Sequence, residues 1–274
     1  LALEKGVVGP ETLIDAKGPM RWGRHTIRDY YHMPPLMTVA EAMARSSNVV
    51  TARLAIDLGT PAVRAWLTQL GLTDAIPLEV AEASLGQPLL PDRWADISTI
   101  TIGFGYGLAV TPLHMAAGYA ALVNGGLKIT PTLDPDVAAP GEEARILSPA
   151  TSLEMRKILR QVVEDGTGRA AEAPGYLVGG KTGTAEKAAP GGGYLDDKVR
   201  ASFIAAFPMN DPAYVLAVTL DEPEDRSGTQ PRRGAGATAA PVAGNAVRRL
   251  APLLGLRPAL PSPQETVTVS VAGR

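Results

Sequence analysis

The sequence predicts an α+β fold: a helical region, then an antiparallel sheet closed by a C-terminal helix. Three observations carry that prediction. Up to Gly166, apolar residues recur at helical spacing behind capping residues. From Leu177 to Asp221, β-rich runs alternate with Gly/Pro/Asp turns. Near the C-terminus an apolar stripe at helical spacing returns.

Taken in order, the chain opens Leu1-Ala2-Leu3-Glu4-Lys5-Gly6, as though in the last turn of a helix with Gly6 at its C-cap. It has neither an initiator Met nor a signal peptide, which gives the expectation of a piece of something longer. A helix should begin near Thr38, as TVAEAMAR. It runs into Ser46-Ser47-Asn48, three residues that compete with helix through side-chain hydrogen bonds, and the apolar pattern resumes in VVTARLAIDLG. Thr60-Pro61, Thr111-Pro112 and Ser148-Pro149 each join a capping oxygen to a proline suited to the first helical position. They should open helices over 61–70, 112–124 and 149–164, the last with Leu153, Met155, Ile158, Leu159 and Val162 on one stripe.

The strands are expected at 177–187, 200–208 and 213–221, with an exposed loop at 189–197 and a tight turn at Met209-Asn210-Asp211-Pro212. A last helix, about 237–255, carries Val242, Ala246, Leu250 and Leu253. The main unit should span 1–256, with 257–274 a poorly ordered tail.

Composition narrows the function. With 45% hydrophobic and 20% charged residues, an extended disordered polymer is excluded. A net charge of −2 offers no basic footprint for nucleic acid. The absence of cysteine excludes disulfide scaffolds, zinc ribbons and thiol nucleophiles. His25, His32 and His114 are scattered without metal-ligand spacing, so no metal and no cofactor is expected. His25 and His32 fit a surface loop or short strand, and His114 the first turn of its helix.

Gly175 to Thr182 matches the phosphate-loop pattern G-x-x-x-x-G-K-[ST]. That pattern needs a buried strand before it and a helix after it, aiming amides at phosphate. GRAAEAP precedes it and TGTAEKAAPGGGY follows it, so the nucleotide reading fails. The same residues read better as a strand with an active edge. Alternation puts Lys181 and Gly183 on one face and Thr182 and Thr184 on the other, and edge twist can bring a threonine hydroxyl beside the lysine. Bare glycines at 179, 180 and 183 let a ligand lie along the backbone. The plainer reading is a solvent-facing strand whose lysine makes a salt bridge. Ser46-Ser47-Asn48, taken alone, reads as a joint between helices with capping hydroxyls.

The two motifs in this order match the set S-x-x-K, S-D-N (here Ser-Ser-Asn) and K-T-G of penicillin-binding proteins and β-lactamases. ALEKGVV, SSNVV, FGYGLAVTPLH, GYLVGGKTGTAEK, SFIAAFP and AAPV extend the match over about 1–255. The chain resembles the transpeptidase domain of class B penicillin-binding proteins, of the FtsI division type. That resemblance implies a β-lactamase/D,D-transpeptidase-like fold, with a five-stranded antiparallel sheet between helical layers. It implies a D,D-transpeptidase that crosslinks peptidoglycan stem peptides in septal wall synthesis and is acylated by β-lactams. It also implies a periplasmic site behind an N-terminal membrane anchor, and a divisome glycosyltransferase and other division proteins as partners.

Carried over, Ser46 relays a proton toward the leaving group, Asn48 holds a substrate amide, and Lys181 tunes the network. Thr182 and Thr184 bind the terminal carboxylate beside Gly183, and the Thr184 amide supplies half an oxyanion hole. The departure is that no S-x-x-K occurs in these 274 residues, so neither acylating serine nor general-base lysine is present. The resemblance places that serine about nine residues before Leu1, with two strands of the sheet before it. The expectation is a chain cut just past its nucleophile, inactive alone, with an uncovered sheet edge and apolar surface, and dependent on the missing segment to fold. Two alternatives remain at this stage: a β-lactamase or D,D-carboxypeptidase of the same fold, and a non-catalytic divisome scaffold.

Overall fold

A computed structural model describes residues 1–137, 141–189, 191 and 193–259. Four three-residue strands form two small antiparallel ladders near the N-terminus. β1 (Leu13–Asp15) pairs with β4 (Leu36–Thr38), and β2 (Met20–Trp22) pairs with β3 (His25–Ile27). Strands this short carry too little alternation to be announced by sequence. His25 lies on β3 and His32 in the loop before β4, both exposed.

α1 (Val39–Arg45) starts with a reciprocal cap: Glu41 N–H donates to Thr38 Oγ1 and Thr38 N–H donates to the Glu41 carboxylate. Ser46 caps its end, and α2 (Asn48–Leu58) starts two residues later behind its N-cap Ser47. α2 is clamped on two sides. Val49 and Ala52 pack with Met20, Ile27 and Ile100, while Val50 packs with Ala16, Met37 and Ala42.

α3 (Thr60–Gln69) departs from expectation at its first residue. Gly59 takes the N-cap, and Thr60 instead donates to Asp96 Oδ1 at 2.7 Å and meets Thr99 Oγ1 at 2.8 Å. Those partners belong to α4 (Asp96–Gly103), a helix the sequence conceals. DISTITIG is β-branched and a weak helix former, and burial of Ile100 against α2 overrides the propensity. α5 (Pro112–Val123) and α6 (Pro149–Glu164) begin as expected, with Thr111 and Ser148 accepting backbone N–H bonds. His114 sits buried in the first turn of α5, with its ring bonded to Thr111 Oγ1 and the Asp74 carbonyl.

β5 (Gly179–Ala188), β6 (Tyr194–Phe207) and β7 (Tyr214–Asp221) form one antiparallel sheet in that order. β6 begins six residues before the expected start near Arg200, so the 189–197 loop contracts to a hairpin tip. The added arm, YLDDKV, mixes apolar and charged residues on each side without a clean alternation, which hides its period. Lys198 on this arm pairs with Glu222, which Lys187 of β5 also contacts.

α7 (Ala239–Leu253) covers one face of the sheet, and α5 and α6 cover the other. Phe203 and Phe207 pack against Ala239, Ala240, Ala243 and Val247, and Ala206 packs with Val123, Leu159 and Met209. The sheet therefore lies between helical layers as expected. It has three strands among the described residues rather than the five of the resemblance, and the outer edge of β7 has no partner strand there. The tail starts differently from expectation: Ala259 N–H donates to the Gly175 carbonyl at 2.7 Å, pinning residues just past Arg257. The remainder of the expected loose tail, 260–274, lies outside the described residues.

Candidate active site

Three junctions converge around the strand that carries Lys181 and Thr182. The first is the break between α1 and α2. Ser46 adopts φ 61°, ψ 51°, the left-handed region that a non-glycine residue enters at a cost. That turn exposes Ser46, while Ser47 is buried and caps α2 by accepting from Val50 N–H. Asp29 completes the joint. Its Oδ1 accepts from Asn48 N–H at 2.5 Å and Val49 N–H at 3.1 Å, and its carboxylate accepts from Ser47 Oγ. The first three amides of α2 are thus all satisfied, two by Asp29 and one by Ser47. Asn48 Nδ2 donates to the Arg28 carbonyl, which leaves Oδ1 without a protein partner among the described residues.

The second junction is β5. Lys181 Nζ donates to Ser46 Oγ at 2.9 Å, to the Thr182 carbonyl at 3.1 Å and to Thr182 Oγ1 at 3.3 Å. All three ammonium protons have acceptors, yet none of these acceptors is a carboxylate. Burial pushes the ammonium down to about 8, and no anion offsets that loss of hydration. Gly180 backs the strand against the Phe203 ring and the Ile204 carbonyl, where a Cβ would approach to 2.3 Å. A Cβ at Gly183 would meet nothing within 4 Å, so open space lies beside the strand here.

The third junction joins the turn after α6 and the loop before α7. Thr167 Oγ1 lies 2.6 Å from Thr182 Oγ1, and Thr167 N–H donates to the Ala44 carbonyl. Ala235 N–H donates to Thr184 Oγ1 at 2.9 Å. A Cβ on Gly166 would lie 2.3 Å from the Ala44 carbonyl oxygen, so glycine permits the close approach that links this turn to α1.

Of the expected residues, Ser46, Lys181 and Thr182 come together in direct contact, and Asn48 starts the helix beside them. Thr182 reaches the lysine despite the alternation, because the lysine side chain folds back onto its neighbour. Thr184 faces the Ala235 loop instead, and its hydroxyl proton remains available to a ligand. Asp29, Thr167 and the Ala235 amide were not anticipated. Only the Gly-Thr-Gly run at 166–168 offered any sign, as a tight turn after a helix. The FGYG run delivers Tyr106, whose ring meets Tyr194 edge-on at 5.9 Å and so ties that turn to the start of β6. The phosphate-loop pattern lies on an antiparallel strand with no helix after it, as the sequence reading held. Arg232 pairs with Asp225, and Arg233 with Glu224 and Asp197. Among the described residues no group of three His, Asp or Glu is placed to hold a metal.

A serine in the left-handed region, bonded to a half-buried lysine on a glycine-flanked edge strand, forms the centre of the site. The chain belongs to the penicillin-binding protein transpeptidase domain family, whose model matches residues 1–248. Among individual relatives, it is 36% identical over 268 residues to the probable peptidoglycan D,D-transpeptidase FtsI of Caulobacter vibrioides, covering 94% of this chain and 45% of that protein. It is 33% identical over 263 residues to penicillin-binding protein PbpB of Mycolicibacterium smegmatis, covering 88% of this chain and 39% of that one. The transpeptidase domain of penicillin-binding protein 3 from Burkholderia pseudomallei superposes with a TM-score of 0.84 at 32% identity, over 95% of this chain and 77% of that one. Penicillin-binding protein 3 of Mycobacterium tuberculosis in complex with ampicillin gives 0.81 at 27% identity, over 98% and 63%. The chain spans less than half the length of these curated relatives.

Proposed function

We propose that this chain carries the proton-relay and carboxylate-binding part of a serine D,D-transpeptidase that crosslinks peptidoglycan stem peptides and is acylated by β-lactams. The observation that carries the reading is Lys181 Nζ donating to both Ser46 Oγ and Thr182 Oγ1. The acylating serine and its base lysine belong to an S-x-x-K segment outside these 274 residues, so the chain alone leaves a β-lactam unreacted. In the full-length protein that serine attacks the carbonyl of the penultimate D-alanine. The carbon–nitrogen bond breaks, and Ser46 passes its proton to the departing amine while drawing one from the lysine network. An amine from a second stem peptide then attacks the ester and releases the serine.

Each group on this chain has a physical task. Lys181, largely charged at neutral pH, attracts the substrate's terminal carboxylate, and the Thr182 and Thr184 hydroxyls donate to it. Asn48 Oδ1 accepts a substrate amide N–H. The free edge of β5 receives the peptide as an added strand, and the Thr184 amide points at the developing oxyanion. A β-lactamase or carboxypeptidase would need a base to activate water. Among the described residues no carboxylate bonds Ser46 or Lys181, which favours transfer to an amine over hydrolysis.

The names of the relatives, FtsI and penicillin-binding protein 3, support septal wall synthesis on the periplasmic face of the inner membrane beside a divisome glycosyltransferase. No helix among the described residues is long and apolar enough to cross a membrane. The test is acylation of the full-length protein by a fluorescent penicillin. Labelling one to one, lost in Ser46→Ala and Lys181→Ala variants that still melt cooperatively, supports the reading. Undiminished labelling in both variants overturns it.

A further inference from the structure

We infer that Thr167 is a positioning residue, which turns the Thr182 hydroxyl proton toward the carboxylate of a bound ligand. The inference rests on the reading above, in which Thr182 meets that carboxylate. Proton counting supplies the argument. A threonine hydroxyl has one proton and two lone pairs. Lys181 Nζ donates to Thr182 Oγ1 at 3.3 Å, occupying one lone pair. The 2.6 Å contact between Thr167 Oγ1 and Thr182 Oγ1 can run in either direction. If Thr182 donates to Thr167, it has no proton left for a ligand. If Thr167 donates to Thr182, both lone pairs are filled and the Thr182 proton is free to point into the cleft. Binding of an anion selects the second arrangement, in which Thr167 donates and the Thr182 proton faces the ligand.

Thr167 is placed to do this without moving. Its N–H is tied to the Ala44 carbonyl at 3.0 Å, two residues before Ser46. Its carbonyl oxygen lies so near Gly236 that a Cβ there would approach to 2.7 Å. Its hydroxyl has no other partner among the described residues, so its proton is uncommitted except toward Thr182. One residue thereby touches the end of α1, the strand β5, and the loop whose Ala235 amide holds Thr184.

A merely structural bond between two threonines would affect every ligand alike, and the test uses that difference. The full-length protein and its Thr167→Val and Thr167→Ser variants are assayed with a fluorescent penicillin and with its methyl ester, which lacks the free carboxylate. Dissociation constant and acylation rate constant are separated by stopped-flow. Thr167→Val weakens binding of the free acid about tenfold, the scale of one charge-assisted hydrogen bond, and leaves the ester within about twofold. Thr167→Ser, which keeps the hydroxyl, restores the acid to within about twofold of the parent. An equal loss for acid and ester, or no loss for either, overturns the inference. Thr182→Val separates the two levels. If it discriminates acid from ester while Thr167→Val does not, only the role of Thr167 falls. If Thr182→Val discriminates neither, the underlying carboxylate assignment falls with it.

Discussion

Replacing Asp29 with alanine should loosen the Ser46–Asn48 joint more than any other single change outside the cleft. Asp29 accepts from two backbone amides and one hydroxyl at the N-terminus of α2, with bonds of 2.5–3.2 Å. Ser47 still caps Val50, but losing the acceptor of the Asn48 and Val49 amides costs about 1 kcal/mol on the scale of a cap, and stranding part-buried donors that faced a charge adds about 1.5–3 kcal/mol. Removing a negative charge from the positive end of a helix acts in the same direction. The total is about 3 kcal/mol, because water replaces part of what the carboxylate supplied. For a domain of this size that lowers the melting temperature by roughly 6–12 °C. Asp29→Asn keeps an acceptor and loses the charge, so it should cost about 1 kcal/mol. The assay is thermal unfolding of the full-length protein, followed with penicillin acylation measured well below the melting point. Acylation should fall in Asp29→Ala, because Ser46 and Asn48 flank the frayed turn. Two results would refute the reasoning: an alanine variant that melts within about 1 °C of the parent, or an asparagine variant as unstable as the alanine one.

Other outcomes follow from the same geometry. Because burial holds the Lys181 ammonium at about 8, its charge is present below that pH and lost above it, so acylation efficiency should decline through an alkaline limb near pH 8. In Lys181→Arg, which stays charged, that limb should vanish even if the rate falls, and a pH profile decides. The same depressed value makes the unfolded chain bind more protons between about 8 and 10.5, so Lys181 makes stability rise with pH across that window; denaturant titrations at the two ends read it. Gly166→Ala puts a Cβ 2.3 Å from the Ala44 carbonyl oxygen and should cost about 1–3 kcal/mol and slow acylation together, since the turn and Ser46 share that contact. Phe203→Ala, fully buried under α7, should cost about 3–5 kcal/mol in denaturant titration without shifting the alkaline limb.

What the sequence made legible was whatever is encoded locally. Thr111-Pro112 and Ser148-Pro149 marked helix starts because a cap needs only its own next three residues. Lys181 and Ser46 were legible as motifs, since each comes with neighbours that fix its backbone. α4 was not, because its β-branched run becomes helical only when Ile100 packs on α2. Thr60 had the chemistry of a cap and was spent on Asp96 and Thr99 instead, a choice set by a helix 36 residues away in sequence. Asp29 and Thr167 escaped notice for a similar reason. Asp29 precedes its partners by 18–20 residues, and Thr167 meets Thr182 across a sequence separation of 15 residues. The early start of β6 was hidden because the pair that holds it, Lys198 with Glu222, is ionic and exposed rather than apolar.

The most direct measurement of the central claim is the second-order rate constant for acylation of the full-length protein by a fluorescent penicillin, with and without the Lys181→Ala substitution. Removing the charge that binds both Ser46 Oγ and Thr182 Oγ1 should reduce that constant at least about a hundredfold at pH 7 while the protein stays folded, the scale of losing a principal electrostatic contact in acyl transfer. A variant that acylates as fast as its parent would contradict the account.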